Sequence, residues 1–385
     1  MKDLFLLDPS VVFLNHGSFG ACPVSVLEEQ WRWQREMERN PVEFLGRRSA
    51  QLLEKARTAL ARLLGASADE LVFLSNTTHG VNAVARSVPL SEGDEVLTTD
   101  HEYGACDATW EAACRRAGAR YVRASIPLPF VASEFADRVL EKVTPRTRVV
   151  YLSHLTSTTA LTFPVAEVCR RARQAGILTV IDGAHVPGHL PLDLAAVGAD
   201  FYTGNLHKWL CAPKGAAFLW ARPERHAMLE PLVVSWGSCA EVAGHTGFDA
   251  YTGTTTLERR LQWQGTRDLS AFLSVPAAIE FQRAHGWDGV RARCHDLAVK
   301  VRERVRGLTG LGHVCAETDF AQMVALPFPK TDPAALKEEL WRRRIEIPVT
   351  THGDHVFVRL SVQGYNSDED VDRLVAALEE ILAAR

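Results

Sequence analysis

The chain has 385 residues, of which 46% are hydrophobic and 23% are charged, so it can bury a large core and is long enough for two domains or one large enzyme subunit. Its formal net charge is −4 and it lacks a long basic run, which excludes the electrostatic pattern of a nucleic-acid-binding protein. Because no segment reaches the roughly 18 apolar residues of a membrane span and the first residues do not resemble a secretory signal, we expect a cytoplasmic protein with no membrane partner.

Apolar periodicity predicts two helices near the start of the chain, at 24–44 and 50–64, the second ending at Gly65. Strand-like runs then alternate with amphipathic segments, and these runs lie at 71–74, 95–98, 120–123, 148–152, 178–181, 201–204 and 216–220. This alternation predicts an α/β fold with a mostly parallel sheet and helices on both faces. Ligands of such sheets bind at the carboxyl ends of the strands.

The pattern changes after about residue 270. Helices are predicted at 270–284, 290–308, 333–344 and 368–384, and strands at 322–326 and 356–361. This mixture is typical of a smaller α+β domain. We therefore predict a large α/β domain at 16–265 and a small α+β domain built from 1–15 and 270–385.

Three polar features follow strand-like runs. The segment Ser75-Asn76-Thr77-Thr78 reads as a polar turn that opens a helix, Asp182 ends an apolar run, and Lys208 follows the next run. Taken singly, these are ordinary features: a helix N-cap, a capping acid and a solvated lysine. Together they match the needs of pyridoxal 5′-phosphate (PLP): a helix start for the phosphate, a carboxylate for the pyridine nitrogen and an amine for the aldehyde.

Four motifs together resemble one family. They are NHGSFGACP at 15–23, DGAH at 182–185, NLHKW at 205–209, and RLS at 359–361 with Tyr365 and Asn366 after it. The combination resembles the class V aminotransferases, which are PLP-dependent transferases of fold type I, and within them the isopenicillin N epimerase-like branch. The resemblance extends over nearly the whole chain.

The resemblance implies a role for each matching residue. Lys208 would be the Schiff-base lysine, Asp182 would pair with the pyridinium nitrogen, and His185 would lie near the phenolic oxygen of PLP. The phosphate would be held by Thr77, Thr78, Asn205 and His207, and Thr266 would reach the phosphate of the neighbouring subunit. The resemblance thus implies a C2 homodimer with active sites at the interface.

Three further cofactor and substrate contacts are expected. Tyr103, in preference to His101, would cover the cofactor face away from the lysine. Ser157 takes the place of an asparagine that desulfurase relatives keep near the phenolic oxygen. Arg359 would bind the substrate carboxylate, because a guanidinium matches a carboxylate with two parallel hydrogen bonds; the alternative is an exposed strand arginine.

Two more residues are candidate substrate contacts. Arg47, with Arg48 beside it, would either meet a distal acid of the substrate or form an ordinary surface pair. His16 is a candidate substrate-binding residue and, with Tyr103 and His101, a candidate acid on the far face of the cofactor.

The chemistry implied by the family begins with proton removal from the substrate Cα. Once the substrate has replaced Lys208 on the cofactor as an external aldimine, the freed amine is a base beside Cα. We predict that a proton then returns on the opposite face, as in an isopenicillin N epimerase-type epimerase or racemase. The alternative is a C–S lyase acting on a cysteine conjugate or its sulfoxide, which needs no far-face acid.

Other activities are less well supported. A cysteine desulfurase needs a cysteine on a small-domain loop, but 317–385 contains none, and Cys315 is interpreted as a core residue. An aminotransferase would return the proton to the cofactor. A catalytically inactive binding protein is disfavoured because Lys208, Asp182 and Arg359 are all retained. The eight cysteines show no Cys-x-x-Cys pairing, so we expect neither a metal site nor a disulfide scaffold.

Overall fold

The computed structural model describes residues 1–242 and 247–384. Its strands are β1 (Val12–Phe13), β2 (Leu71–Leu74), β3 (Glu95–Thr99), β4 (Arg120–Ala124), β5 (Thr147–Ser153), β6 (Leu178–Asp182), β7 (Phe201–Asn205), β8 (Ala217–Ala221), β9 (Met323–Phe328), β10 (Ile345–Glu346), β11 (Val349–His352) and β12 (His355–Ser361). Its α-helices are α1 (His16–Phe19), α2 (Val24–Arg39), α3 (Pro41–Glu43), α4 (Ser49–Leu64), α5 (Thr77–Ser87), α6 (Gly104–Ala117), α7 (Phe135–Leu140), α8 (Val165–Gln174), α9 (Leu194–Val197), α10 (Trp236–Ala240), α11 (Asp249–Thr252), α12 (Ser270–Leu273), α13 (Val275–Ala284), α14 (Trp287–Thr309), α15 (Pro333–Arg342) and α16 (Asp368–Ala383).

The large sheet has the strand order β2-β8-β7-β6-β5-β3-β4. The pairs from β7 to β4 are parallel, and β8 runs antiparallel to both of its neighbours. The predicted mostly parallel α/β sheet is therefore confirmed. The strands that end in Asp182 and Asn205, β6 and β7, are adjacent at its centre, so the residues that follow them meet at one edge.

The sheet separates two hydrophobic cores. Along β5, Val150 and Leu152 pack in one cluster, and Val149 and Tyr151 pack in the other. Successive side chains of a strand point to opposite faces, so a sheet covered by helices on both sides needs a continuous apolar run. This requirement explains why the sequence shows apolar runs here and not an alternating pattern.

The C-terminal part contains an antiparallel sheet of order β11-β12-β9. Near the start of the chain, β1 pairs in parallel with β10, and Val12 lies opposite Ile345. The first residues of the chain are thus hydrogen-bonded to the C-terminal part. The grouping of 1–15 with 270–385 in one domain and the exact domain boundaries stay predictions.

Several predicted elements differ in their bounds. The helix predicted at 24–44 ends at Arg39, because Asn40 caps a new turn that begins at Pro41. The helix predicted at 270–284 is divided into α12 and α13, where a proline in the first turn of α13 cannot continue the preceding helix. The short strands β1, β10 and β11 were not predicted. Within the described residues, no helix is long and apolar enough to cross a membrane.

Helix α1 brings the start of the chain against the loop that carries Lys208. It ends at Gly20, whose φ of 71° and ψ of 163° suit glycine alone. A Cβ on Gly20 would lie 2.2 Å from the backbone oxygen of His207. This close approach places Ser18 and Phe19 beside the carboxyl ends of the central strands.

We expect Gly20→Ala to lower the free energy of unfolding by about 1–3 kcal/mol, because alanine disfavours this backbone conformation and its methyl group would meet the His207 carbonyl. Thermal or urea unfolding measures the change. Gly46→Ala is the matched control, since a Cβ at Gly46 meets no atom within 4 Å. Equal stability of the two variants would contradict the close approach.

Candidate active site

A cavity of about 400 Å³ opens at the carboxyl ends of the central strands. Many of the predicted cofactor-binding residues line it, namely Thr77, Thr78, Tyr103, Ser157, Asp182, His185, Asn205, His207 and Lys208. The other lining residues are Ser18, Phe19, Ser75, Asn76, Ser153, Leu155, Ala184 and Gly215. The carboxyl ends of the strands thus bring together Thr77 and Lys208, which are 131 positions apart in the sequence (208 − 77).

Asp182 ends β6 with its carboxylate buried. One oxygen, Oδ1, accepts a hydrogen bond from the backbone N–H of Ala184 at 2.8 Å. The other, Oδ2, accepts hydrogen bonds from the Tyr151 hydroxyl at 3.2 Å and from the Cys106 thiol at 3.6 Å. Burial raises the pKa of this carboxyl, whereas the hydrogen bonds and the Lys208 charge favour its ionised form. A cationic partner in the cavity would stabilise that form further.

Lys208 follows β7 and points its amine into the same cavity. Its Nζ lies 3.2 Å from Nε2 of His185, and no carboxylate oxygen of residues 1–242 or 247–384 lies within ion-pair distance of it. Burial, and next the positive charge of Arg359, lower the pKa of this amine from 10.5 to about 8. A substantial fraction of the amine is therefore neutral and nucleophilic near pH 8.

The turn between β2 and α5 presents a helix start to the cavity. Asn76 caps the helix, and its side chain accepts the backbone N–H of His79 at 2.8 Å. The backbone N–H of Thr77 donates to Oδ1 of Asn205 at 2.9 Å. The Thr77 hydroxyl is buried and has no hydrogen-bond partner. An unpaired buried hydroxyl at a helix N-terminus is suited to an anion such as phosphate.

Arg359 lies in β12, directly behind two residues of the cavity wall. Its Nη1 donates to the backbone oxygen of Ser157 at 2.5 Å and to its Oγ at 3.2 Å, and its Nη2 donates to Oγ of Ser18 at 3.0 Å. Its Nε is buried without a partner, and burial lowers the pKa of the guanidinium to about 10. Among the described residues this cation has no carboxylate partner, so an incoming carboxylate would find an uncompensated charge.

Besides Arg359, three of the predicted site residues lie outside the cavity lining. His16 was expected to contact the substrate, but its ring is fully buried, hydrogen-bonded to the Tyr365 hydroxyl at 2.9 Å and to the backbone oxygen of Lys208 at 3.0 Å. Arg47 is exposed and lines a separate groove with Glu54. Thr266 is exposed and outside the lining, and its expected contact concerns a neighbouring subunit.

The two candidates for covering the cofactor lie in different surroundings. Tyr103 lines the cavity and is 47% exposed. His101 is buried, with its nitrogens 2.8 Å from Oγ1 of Thr159 and 2.8 Å from the backbone oxygen of Ile126. Its ring stacks on His352 at 3.9 Å. Tyr103 is thus available in the cavity, whereas His101 is engaged elsewhere.

A family model and a curated relative both match this chain over most of its length. The family model described as "Aminotransferase class-V" matches residues 21–374. This chain belongs to the class-V aminotransferase family. Isopenicillin N epimerase of Amycolatopsis lactamdurans is 40% identical to it over 97% of this chain and 96% of the relative.

A second relative and a solved structure are less similar in sequence to this chain. Hercynylcysteine sulfoxide lyase of Schizosaccharomyces pombe is 28% identical, over 79% of this chain and 76% of the relative. The apo structure of cysteine desulfurase from Thermococcus onnurineus NA1 superposes with a TM-score of 0.83 at 20% identity, covering 100% of this chain and 98% of that one. This likeness supports the fold, and the predicted fold type I is confirmed.

PLP is the cofactor of this class-V enzyme, and the site has the groups that PLP needs. The unpaired Thr77 hydroxyl and the start of α5 suit its phosphate, and the buried Asp182 carboxylate suits its pyridinium nitrogen. The partly buried, partly neutral Lys208 amine suits its aldehyde. The predicted cofactor is confirmed by the family, and the individual residue roles stay proposals.

Residues that the sequence reasoning missed lie around this site. Cys106 and Tyr151 hold Asp182, and Trp209 donates to His185 at 3.2 Å. Ser18 lies within the NHGSFGACP motif, but nothing in that motif indicates that it would contact Arg359. No sequence pattern around Cys106 indicates that it contacts Asp182. Only the packing of α6 against the sheet brings its thiol to the Asp182 carboxylate.

We expect capture of PLP by the apoenzyme to become faster as the pH rises towards about 8 and to level off above it, because the neutral Lys208 amine is the reacting form. Arg359→Gln removes a nearby positive charge, which raises the pKa of Lys208 and moves the midpoint to higher pH. Stopped-flow absorbance across a pH series measures the midpoint.

Arg359→Lys retains the positive charge and is the matched control, for which the midpoint should stay near that of the native enzyme. An unchanged midpoint in Arg359→Gln would show that this guanidinium does not act on the lysine amine.

Proposed function

We propose that this enzyme epimerises an amino-acid substrate at Cα, in keeping with its similarity to isopenicillin N epimerase over nearly the full length of both chains. One observation carries the proposal: Lys208, a base, and Tyr103, a hydroxyl acid, line the same cavity. Epimerisation needs a base on one face of Cα and an acid on the other. PLP, when bound, supplies a protonated ring that stabilises negative charge at Cα.

The charged residues of the site have separate tasks in this proposal. The Lys208 amine takes the proton from Cα, which its lowered pKa allows at neutral to mildly basic pH. Asp182 keeps a negative charge at the other end of the cofactor site. Arg359 holds the substrate carboxylate, and its hydrogen bonds to Ser157 and Ser18 fix the orientation of the guanidinium.

Tyr103 is proposed as the acid that returns the proton. Its hydroxyl makes no hydrogen bond within the described residues, so it is free to face a ligand. The two other candidate acids are already engaged. His101 is hydrogen-bonded to Thr159 and Ile126, and His16 is hydrogen-bonded beneath the lysine loop.

A C–S lyase is the second candidate, supported by the similarity to hercynylcysteine sulfoxide lyase. Elimination of a sulfur leaving group needs only the Lys208 base and the cofactor. Desulfurase chemistry has less support, because none of the eight cysteines lines the cavity and Cys315 is buried. The observed burial of Cys315 agrees with its interpretation as a core residue.

We also propose a homodimer in which a second copy covers the cavity mouth. Phe19 lines the cavity yet is 74% exposed, which is unusual for a large apolar side chain beside a binding site. Thr266 is exposed and available to a neighbouring subunit, as the family resemblance implies. Sedimentation of the PLP-loaded enzyme at a mass near 42.6 kDa would contradict the dimer.

A cytoplasmic location is proposed on separate grounds. All eight cysteines are free thiols, and most of them are buried. Unpaired thiols are common in proteins of reducing compartments, whereas secreted proteins of this kind tend to form disulfides.

The reaction type is tested by incubating the PLP-loaded enzyme in D2O with isopenicillin N, free α-amino acids, S-substituted cysteines and their sulfoxides. Proton NMR with chiral analysis of the products distinguishes the outcomes. Both configurations at Cα, with deuterium incorporated, are expected for an epimerase. Pyruvate formed from a cysteine conjugate without racemised substrate would overturn the proposal in favour of the lyase. Lys208→Ala is the control that should show neither reaction.

Tyr103→Phe separates the two proton transfers. We expect epimerisation to fall by about 10²-fold or more, since the far-face acid is lost, while Lys208 still exchanges the Cα proton of one enantiomer with deuterium. Comparing the exchange rate with the epimerisation rate measures this split. A parallel loss of both rates would mean that Tyr103 does not act as the second acid.

A further inference from the structure

His185 has a hydrogen-bond partner on each ring nitrogen. Its Nδ1 lies 3.2 Å from the indole Nε1 of Trp209, and its Nε2 lies 3.2 Å from Nζ of Lys208. The imidazole is buried, with 2% of the residue exposed, and it lines the cavity. The identity of these two partners determines where the ring carries its proton.

The indole N–H of Trp209 can only donate a hydrogen bond. Nδ1 of His185 must therefore present its lone pair to Trp209 and carry no proton. A neutral imidazole with a bare Nδ1 carries its proton on Nε2, the nitrogen that faces Lys208. If His185 were protonated to an imidazolium, its Nδ1–H would face the N–H of Trp209, and two hydrogen-bond donors would oppose each other.

Trp209 is held so that its N–H cannot turn away. The indole is fully buried and stacks on the ring of His189, with ring centroids 3.8 Å apart and planes 15° apart. The ring of His16 packs on it at 4.9 Å. The backbone oxygen of Trp209 accepts a hydrogen bond from the side chain of Gln282 at 2.8 Å.

The stacked ring of His189 is itself fixed. Its Nε2 accepts the backbone N–H of Gln322 at 2.9 Å, so its Nδ1 carries the proton and donates to the backbone oxygen of His185 at 2.9 Å. Contacts from Gln282 and Gln322, in the C-terminal part of the chain, thus hold the indole N–H of Trp209 against Nδ1 of His185, which accepts its hydrogen bond.

The surrounding charges favour the same neutral state. After burial, the charged groups that act on His185 are Lys208 and Arg359, and a positive charge on either of them would repel a protonated ring. The nearest carboxylate along the chain, Asp182, is hydrogen-bonded to Ala184, Tyr151 and Cys106. Burial and these charges lower the pKa of His185 well below its usual value.

We propose that Trp209 is a positioning residue that locks His185 as the neutral Nε2–H tautomer, so that His185 presents a hydrogen-bond donor, and never a base, to the neutral amine of Lys208 and to the cavity. Lys208 is then left as the base at this end of the site. The inference does not depend on whether the enzyme is an epimerase or a lyase.

The test is ¹⁵N NMR of the PLP-loaded enzyme with ¹⁵N-labelled histidine, with the His185 signals assigned by their loss in His185→Gln. In the native enzyme we expect a protonated Nε2 and a bare Nδ1 that stay unchanged from about pH 5 to about pH 9. Trp209→Phe keeps a ring to stack on His189 but removes the N–H donor. We expect the Nδ1–H tautomer to become populated in this variant.

Trp33→Phe is the matched control. It removes an indole whose N–H has no hydrogen-bond partner, on a helix away from the cavity, and should leave the His185 signals unchanged. A pure Nε2–H tautomer in Trp209→Phe would overturn the proposal. So would a protonated Nδ1 in the native enzyme, a result that needs no variant and holds even if Trp209→Phe fails to fold.

Discussion

Two basic side chains, the partly buried Lys208 and the buried Arg359, share one site. Among the described residues the cavity of this site is lined by a single carboxylate, that of Asp182. Carrying a proton on Lys208 in the folded chain costs roughly 3 kcal/mol relative to water, as follows from the fall of its pKa from 10.5 to about 8. Burial and the positive charge of Arg359 favour the neutral amine, and a site with so few carboxylates suits anionic ligands such as a phosphate or a carboxylate. The other features of the site follow from this constraint.

The histidines near Lys208 are arranged so that they add no further positive charge. Burial lowers the pKa of His16 and of His189 to about 3, and that of His185 well below its usual range. For His185 and His189 the hydrogen bonds require the neutral state, since each accepts an N–H from the chain. Neutral rings supply directed hydrogen bonds beside the lysine without competing for its proton.

The same cavity accounts for both candidate reactions. The roles proposed for Lys208, Asp182 and Arg359 serve the removal of a proton from Cα, a step that the epimerase and the lyase share. What separates the two is whether an acid on the other face returns a proton, the role proposed for Tyr103, which lines the cavity. Because Phe19 and Tyr103 leave the cavity mouth partly open, the second subunit of the proposed dimer would complete the substrate pocket.

The sequence by itself determined the α/β order, the PLP motifs and the grouping of Asp182, Lys208 and the Thr77 turn, because strand ends of a parallel sheet meet at one edge whatever the loop lengths are. Only the tertiary structure decided that Arg359 contacts Ser18 and Ser157, that His16 lies beneath the lysine loop, and that Trp209 fixes His185. These contacts depend on how the C-terminal part and the start of the chain pack against the large sheet. Residues 202 and 341 positions apart meet there, and no local periodicity or motif spacing encodes such a meeting.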